Sequence, residues 1–174
     1  DMNTTAKFSF SALLALGGLG VASNVNAQAQ ILPDDTLGVE SSIVMPDVVV
    51  DGLPSDQING GALRGSLLFH SFEEFNIDEG RGAYFSNPDV VNTIFSRVTG
   101  SNHSDIFGTL GVLGEADLVF LNPNGILFGP TAQLDLRGAF TASTASGVEF
   151  SNGEVFSSLN PESPSLLTMN LNAP

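Results

Sequence analysis

The chain has 174 residues, a hydrophobic content of 42% and no cysteine, and its 19 acidic and 5 basic side chains give a formal net charge of −14. This length suits one domain, and the apolar content is too high for a disordered acidic tail. The charge argues against nucleic acid, because phosphate binding needs clustered lysine and arginine, and the lack of cysteine excludes a disulfide framework, a thiolate metal site and a cysteine nucleophile.

Residues 1–29 have the features of a secretory signal. Lys7 is followed by an apolar run over residues 8–22, which is shorter than the roughly 20 apolar residues that a membrane-spanning helix needs. Small residues at Ala27 and Ala29 fit a signal peptidase site, and we expect cleavage after Ala29, with Ala27 as the second choice. Three glycines in the apolar run argue against the alternative, a buried N-terminal helix.

The rest of the chain shows no sustained helical period. Its recurring unit is a short apolar segment that ends at Gly, Pro, Asn or Asp, which is typical of strands joined by tight turns. Strands are predicted at residues 42–44, 48–50, 66–69, 83–85, 106–113, 117–121, 126–128, 133–136, 139–142 and 148–150. Residues 89–98 fit either a strand or one helical turn. Turns are predicted at residues 53–56, 59–61, 122–125, 129–130 and 151–153.

Short segments recur at an offset of 22 residues, which maps Ile126–Phe128 onto Val148–Phe150 and Gln133–Leu134 onto Val155–Phe156. Ile106–Phe107 precedes the first of these segments by 20 residues. Periods in this range predict a solenoid, in which each coil buries its apolar face on the next coil. A β-sandwich is the alternative architecture.

The sharpest local motif is Asn122-Pro123-Asn124-Gly125-Ile126, between two predicted strands. Pro123 fixes φ for the first turn position, and Asn124 and Gly125 accept positive φ. The motif fails as a calcium loop, because Phe120 and Thr131 stand where an EF-hand requires acidic ligands. It therefore predicts a tight turn inside the solenoid.

Candidate catalytic and metal-binding groups are sparse. His70 and His103 lack the spacing of a metal site, and His70 lies in an aromatic-rich segment that favours a structural role. Glu115, Asp117 and Asp135 could supply paired carboxylates for glycoside hydrolysis, but the two aspartates alternate with apolar neighbours like solvent-facing strand positions. We therefore expect no catalytic residue, no metal site, no cofactor and no enzymatic activity.

Several segments together resemble the N-terminal secretion domain of the filamentous-haemagglutinin family, the exported TpsA-type partner in two-partner secretion. The matching segments are Leu32-Pro33-Asp34, Thr36-Leu37-Gly38, Phe69–Ile77, Arg97-Val98-Thr99-Gly100, Gly108–Gly111 and Ala116–Ile126. The chain departs from better-known adhesins of this family at one point, since it has Arg64-Gly65-Ser66-Leu67-Leu68-Phe69 where they carry an N-P-N-L element.

The resemblance implies an all-β fold, a right-handed parallel β-helix with an N-terminal cap and extra-helical β-hairpins. It implies a signal peptide at residues 1–29, a two-partner secretion domain at residues 30–160 and, at residues 161–174, the start of a downstream β-helix passenger. The unfinished pattern of the C-terminal residues likewise predicts a longer chain.

The resemblance also implies a role in export and folding, with no catalysis in this domain. After transfer by the Sec translocase and signal peptidase, the POTRA domains of an outer-membrane TpsB-type β-barrel transporter would recognise the domain in the periplasm of a Gram-negative-type cell. The domain would then seed folding of a monomeric adhesin-like passenger that is secreted or held at the cell surface. The implied secretion and folding residues are Phe72, Phe75, Asn76, Asn122, Pro123, Asn124, Gly125 and Ile126.

Two other functions stay open at this point. The domain could itself be a carbohydrate-binding or cell-binding adhesin module. A β-helix polysaccharide lyase or hydrolase is the other alternative, but lyases that act on acidic polymers need a basic cleft. The four arginines that follow the signal are scattered along the sequence.

Overall fold

A computed structural model of the chain describes residues 30–164. The predicted leader, with Ala27 and Ala29, and residues 165–174 of the predicted passenger start lie outside the described residues. Within residues 30–164 the fold is all β, with 53% of residues in strands and no α-helix. A single 3-10 turn occurs at Gly38–Glu40.

Fifteen strands make up the described part. In chain order they are β1 (Ile31–Pro33), β2 (Ser42–Val50), β3 (Leu53–Gly60), β4 (Ala62–Arg64), β5 (Leu67–Phe75), β6 (Gly82–Phe85), β7 (Thr93–Val98), β8 (Ser104–Ile106), β9 (Thr109–Val112), β10 (Asp117–Leu121), β11 (Ile126–Phe128), β12 (Gln133–Asp135), β13 (Phe140–Ser143), β14 (Gly147–Glu149) and β15 (Val155–Ser157).

The strands stack as a β-solenoid of about four turns, which confirms the predicted fold class. The first sheet has the order β1-β5-β7-β10-β13, with β4 also paired to β5, and the second has the order β12-β9-β6-β3-β2. The third sheet pairs β11 with β8, and Ile77 extends it through a parallel bridge to Ile106. One full coil therefore consists of β7, β8 and β9, and the next consists of β10, β11 and β12.

The registers confirm part of the predicted repeat and correct the rest. Ile126 pairs with Ser104 and Phe128 with Ile106, so this step has an offset of 22 residues and not the predicted 20. The extension to Val148–Phe156 is wrong, because β14 and β15 pair antiparallel with each other as a hairpin. The turn at residues 150–153, in which Gly153 has a φ of 83°, reverses the chain, so residues 147–157 form a hairpin and not a coil.

The interior of the solenoid is filled by side chains that stack in register. Ala83 pairs with Leu110, which pairs with Leu134 on the next coil. Each of these residues points inward, as alternation along a strand requires. The buried interior comprises Ile31, Ile58, Leu68, Phe72, Phe75, Ile77, Ala83, Phe85, Val91, Ile94, Val98, Ile106, Leu110, Val112, Ala116, Leu118 and Phe120.

Antiparallel elements cover the N-terminal end of the stack. β4 pairs with the start of β5 and β1 with its end, while β2 and β3 form a hairpin whose second strand joins the second sheet. The predicted turn at residues 59–61 falls where the chain passes from β3 to β4, and Gly60 and Gly61 have φ values of 70° and 88°. The predicted turn at residues 53–56 is wrong, since these residues lie in β3. The turn is Asp51-Gly52, with φ values of 48° and 83°, the positive-φ pair that a two-residue hairpin requires.

The outer face of the first sheet carries a second apolar cluster. Phe69 and Phe95 stack on it with ring centroids 5.4 Å apart, and Phe150 and Phe156 from the β14–β15 hairpin cover them. The hairpin is therefore extra-helical, as predicted. The N-terminal segment, defined as residues 34–41 between β1 and β2, contributes Leu37 to the same cluster.

Other strand predictions are confirmed with small shifts. β10 and β11 have the predicted bounds, and the ambiguous residues 89–98 contain the strand β7. The predicted strand at residues 106–113 is broken at Phe107-Gly108, where the chain turns from the third sheet to the second. A Cβ at Gly108 would meet the carbonyl oxygen of Arg81 at 2.2 Å, so the corner requires glycine.

Candidate functional site

The Asn122–Gly125 motif forms the corner between the first and third sheets. The amide of Gly125 donates to the carbonyl of Asn122 at 3.1 Å, and the Asn122 side-chain oxygen accepts from the amide of Asn124 at 2.9 Å. Gly125 has a φ of 118°, whereas Asn124 does not have the positive φ that it could accept. The tight turn predicted here is confirmed.

Both asparagine side chains also reach back to the preceding coil. The Asn122 amide group donates to Ser104 Oγ at 2.9 Å and to the Asn102 carbonyl at 3.1 Å, and Asn122 is fully buried. The amide group of the exposed Asn124 donates to the Gly100 carbonyl at 2.8 Å. The turn is thus fastened to the coil that precedes it.

Asn76 occupies the same corner two coils earlier. Its side-chain oxygen accepts from the main-chain amide of Asp105 at 2.9 Å. Its main-chain amide donates to the Gln30 carbonyl at 2.7 Å. Both motifs therefore meet at β8, which Asn76 contacts from the coil before and Asn122 from the coil after.

The aromatic motif residues lie in the core beneath this corner. Phe72 and Phe75 are completely buried. Phe75 stacks on Phe85 with ring centroids 5.9 Å apart and meets Phe120 edge-on at 4.9 Å. Ile126 packs against the same core from the turn. The structure therefore brings the motif residues together in one region, with only Asn124 exposed.

A buried arginine, Arg97 in β7, lies at the centre of a second polar cluster, which is separate from the predicted secretion and folding residues. Its guanidinium donates to Ser71 Oγ at 2.9 Å and to Thr36 Oγ1 at 2.8 Å. It also lies over the ring of Phe156, 4.2 Å from the centroid. Asp34 accepts from Thr36 and Ser71 at 2.6 and 2.8 Å, so two hydroxyls connect the arginine to a carboxylate.

Burial and hydrogen bonding act in opposite directions on the two charged groups of this cluster. Burial lowers the pKa of Arg97 to about 10, against a smaller opposing effect of the Asp34 charge, so the guanidinium stays charged at neutral pH. Burial alone would raise the pKa of Asp34, but hydrogen bonds from neighbouring hydroxyls and an amide leave it lowered. The cluster thus pairs a buried guanidinium with a half-buried carboxylate through bridging hydroxyl groups.

Sequence reasoning contained the signal for this cluster but gave it no role. Asp34 and Thr36 lie in the first two segments that carry the family resemblance, and Arg97 and Thr99 lie in a third. Their proximity depends on a contact across 61 residues between Arg97 and Thr36, which no local pattern encodes.

His70 has the structural role that its aromatic surroundings predicted. The side chain is completely buried, its Nδ1 lies 3.0 Å from Ser42 Oγ, and its ring is 5.2 Å from that of Phe85. Burial lowers the pKa of His70 to about 3, so the ring is neutral in the folded protein at neutral pH.

The candidate carboxylate pair is not assembled. Asp117 belongs to the first sheet, where it accepts from the amide of Ala139 at 2.6 Å. Asp135 lies in the second sheet and accepts from the Tyr84 hydroxyl at 3.0 Å. Burial and this carboxylate together raise the pKa of Tyr84 to about 12. Asp117 therefore binds the neighbouring coil, whereas Asp135 is bound by a tyrosine two coils earlier.

A polar groove of about 420 Å³ lies beside the Asn76 corner. Two of its three carboxylates accept hydrogen bonds, since Asn102 donates to Glu74 and Gln30 donates to Asp78. The third, that of Asp105, lies 3.1 Å from Nε2 of His103. Within residues 30–164, no group of three or more His, Asp or Glu side chains is placed to hold a metal ion. The same part of the chain has no helix that is long and apolar enough to cross a membrane.

Comparison with known proteins identifies a family for most of the chain. A family model described as the TPS secretion domain matches residues 29–174. The heme/hemopexin-binding protein of Haemophilus influenzae is 33% identical over 69 residues, which cover 40% of this chain and only 7% of that protein. No solved structure matches the chain.

Proposed function

The chain belongs to the TPS secretion domain family, found at the N-terminus of exoproteins of two-partner secretion, and we propose that it directs export and then seeds the folding of the chain that follows it. Members of this family are secreted exoproteins, and the family is not one of enzymes. The recognition step is proposed to involve the POTRA domains of a TpsB-type outer-membrane transporter, after passage through the Sec translocase and removal of the leader by signal peptidase.

The exposure of the last coil carries the seeding part of the proposal. Ala83 and Leu110 are completely buried, whereas Leu134, next in the same column, is 50% exposed. Phe128 is 40% exposed although its partner on the preceding coil, Ile106, is completely buried. An additional coil stacked here would bury both side chains, which is how solenoid folding propagates from coil to coil.

The corner motifs supply a reason for accurate stacking. Buried backbone and side-chain polar groups need partners, and Asn76 and Asn122 provide them between successive coils. A corner fastened in this way fixes the register of β8 and β11, and hence of any coil that stacks below them. We assign Phe72, Phe75, Asn76, Asn122, Pro123, Asn124, Gly125 and Ile126 to secretion and folding competence.

Asn124→Ile offers a direct test of recognition, because Asn124 is the exposed member of the motif. In cells that co-express a cognate two-partner transporter, we expect Asn124→Ile to reduce secretion while the protein accumulates in the periplasm. Asn76→Ile should reduce secretion as well, but together with stability. Quantitative immunoblots of medium and periplasm give the export ratio, and urea unfolding of the purified chain gives stability.

Asn152→Ile is a matched control, because Asn152 is an exposed turn residue outside the motif whose side chain accepts from the amide of Glu154 at 3.0 Å. Its secretion should equal that of the unmodified chain. Undiminished secretion of both motif variants would contradict the proposal. If secretion falls only in proportion to the loss of stability, the motif acts in folding and not in recognition by the transporter.

A further inference from the structure

The C-terminal strap, defined as residues 157–164, crosses the outer face of the first sheet. It continues from β15 and contains no further strand. Ser158 is 3% exposed, whereas Leu159 is 66% exposed. The strap therefore gains little from apolar burial of its own and depends on the sheet beneath it.

Two arginines bind this strap through its backbone. Arg97 donates to the carbonyl oxygens of Ser157 at 2.9 Å and Glu162 at 3.1 Å. Arg64 in β4 donates through Nε and Nη2 to the carbonyl oxygen of Pro164 at 3.0 and 2.8 Å. All three acceptors are main-chain groups, so these hydrogen bonds fix the path of the strap.

The same two arginines hold the N-terminal segment. Arg97 donates to Thr36 Oγ1, and Arg64 pairs with the Glu40 carboxylate, with 2.7 Å between Nη2 and Oε2. Each arginine therefore connects residues near the start of the described chain to residues near its end. Both arginine side chains are buried. Hydrogen bonds from a charged donor are stronger than those between two neutral groups.

We propose that Arg64 and Arg97 form a clasp that closes after the solenoid has assembled and locks the N-terminal segment and the strap together. Arg97 takes its position only when β7 pairs with β5 and β10, so the strap has no docking site before these coils stack. A segment with few apolar contacts on a preformed face is expected to open independently of the core. This inference concerns closure of the purified chain and does not depend on the proposed export role.

Thiol protection tests the order of closure, since the chain has no cysteine of its own. Ser158→Cys places a reporter in the strap and Ser96→Cys places one in the solenoid interior. Ser96 is completely buried, and both serine hydroxyls lack a hydrogen-bond partner within the described residues, so each exchange is mild. During refolding of the full chain, the thiol at position 96 should become protected from a thiol reagent before the thiol at position 158.

Arg64→Lys then tests the clasp in the native state. Lysine cannot reproduce the forked donation to Pro164, and the loss should raise the labelling rate at position 158 about tenfold. Labelling at position 96 should stay unchanged. Arg137→Lys, at an exposed arginine between β12 and β13, is the control and should alter neither rate.

Simultaneous protection of both thiols during refolding would overturn the proposal, because the strap would then belong to one cooperative unit with the core. An equal effect of Arg64→Lys at both positions, or no effect at position 158, would overturn it as well.

Discussion

The two ends of the solenoid are built differently. At the N-terminal end, β1 and β4 run antiparallel along β5, and Phe75 beneath them is completely buried. At the other end, the last strands of the parallel stack are β11, β12 and β13, and the inward-facing Phe128 and Leu134 are 40% and 50% exposed. The described stack is therefore covered at one end only.

The difference comes from what each edge is paired with. An unpaired strand edge offers a row of backbone donors and acceptors to the next strand. The cap strands β1 and β4 run antiparallel to β5 and cannot continue a parallel coil. The parallel strands β11–β13, by contrast, have the geometry that another coil would extend. Among the described residues, nothing covers the inward-facing Leu134 as Leu134 itself covers Leu110.

The largest expected effect is a difference in stability loss when one phenylalanine at each end is replaced by alanine. Phe75→Ala should lower the free energy of unfolding by about 4 kcal/mol, because it empties a fully buried aromatic site. Phe128→Ala removes the same atoms from a side chain that is 40% exposed, and should cost about 1 kcal/mol. Urea midpoints of the purified chain measure both losses, and equal losses would show that the two ends are equally covered.

A pH dependence should arise from His70, which lies beneath the cap beside Ser42. In the folded chain burial holds the pKa of His70 at about 3, below its usual 6.5, so the unfolded chain takes up a proton that the folded chain excludes. Stability is therefore complete above pH 6.5 and declines as the pH falls towards 3. Between pH 7.5 and pH 5 the loss should be about 2 kcal/mol.

Urea unfolding at several pH values measures this dependence. His70→Gln should remove the loss between pH 7.5 and pH 5, and His103→Gln, at an exposed histidine, serves as the control that should retain it. A His70→Gln chain with an unchanged pH profile would place the dependence elsewhere.

A smaller difference in stability should separate the two asparagines of the Asn122–Gly125 turn, which lies between the two ends of the solenoid. Asn122→Ala leaves Ser104 Oγ and a backbone carbonyl without their donor and should cost about 1.5 kcal/mol. Water can replace the hydrogen bond that the exposed Asn124 side chain donates to the Gly100 carbonyl. Asn124→Ala should therefore lower the free energy of unfolding by about 0.5 kcal/mol. Thermal and urea unfolding measure both values, and the reverse order would contradict the assignment of Asn122 as the main fastening between coils.

Sequence reasoning succeeded where the information is local. β10 and β11 have the predicted bounds because apolar alternation ends at a turn whose residue types fix its shape. The Asp51-Gly52 hairpin was overlooked even though Asp-Gly is a strong hairpin signal, because Pro54 and Asp56 just after it suggested a turn of their own. In the structure, sheet pairing overrides that local preference.

The remaining errors concern contacts between distant segments. Val148–Phe156 resembles a further coil in composition, but the turn at Gly153 and the apolar outer face of Phe69 and Phe95 favour a hairpin. The cluster around Arg97 joins three parts of the chain, and no spacing within one segment reveals it. Local sequence patterns thus predict the coils well, whereas the cap and the extra-helical hairpin are expected only from the family resemblance.

Hydrogen exchange along the first sheet tests the central claim most directly, since β5, β7, β10 and β13 are successive strands of one parallel stack. If the solenoid is closed only at its cap, the amides of β13 should exchange at least about tenfold faster than those of β5 and β7. Equal protection of β13 and β5 in the purified chain would contradict an open end.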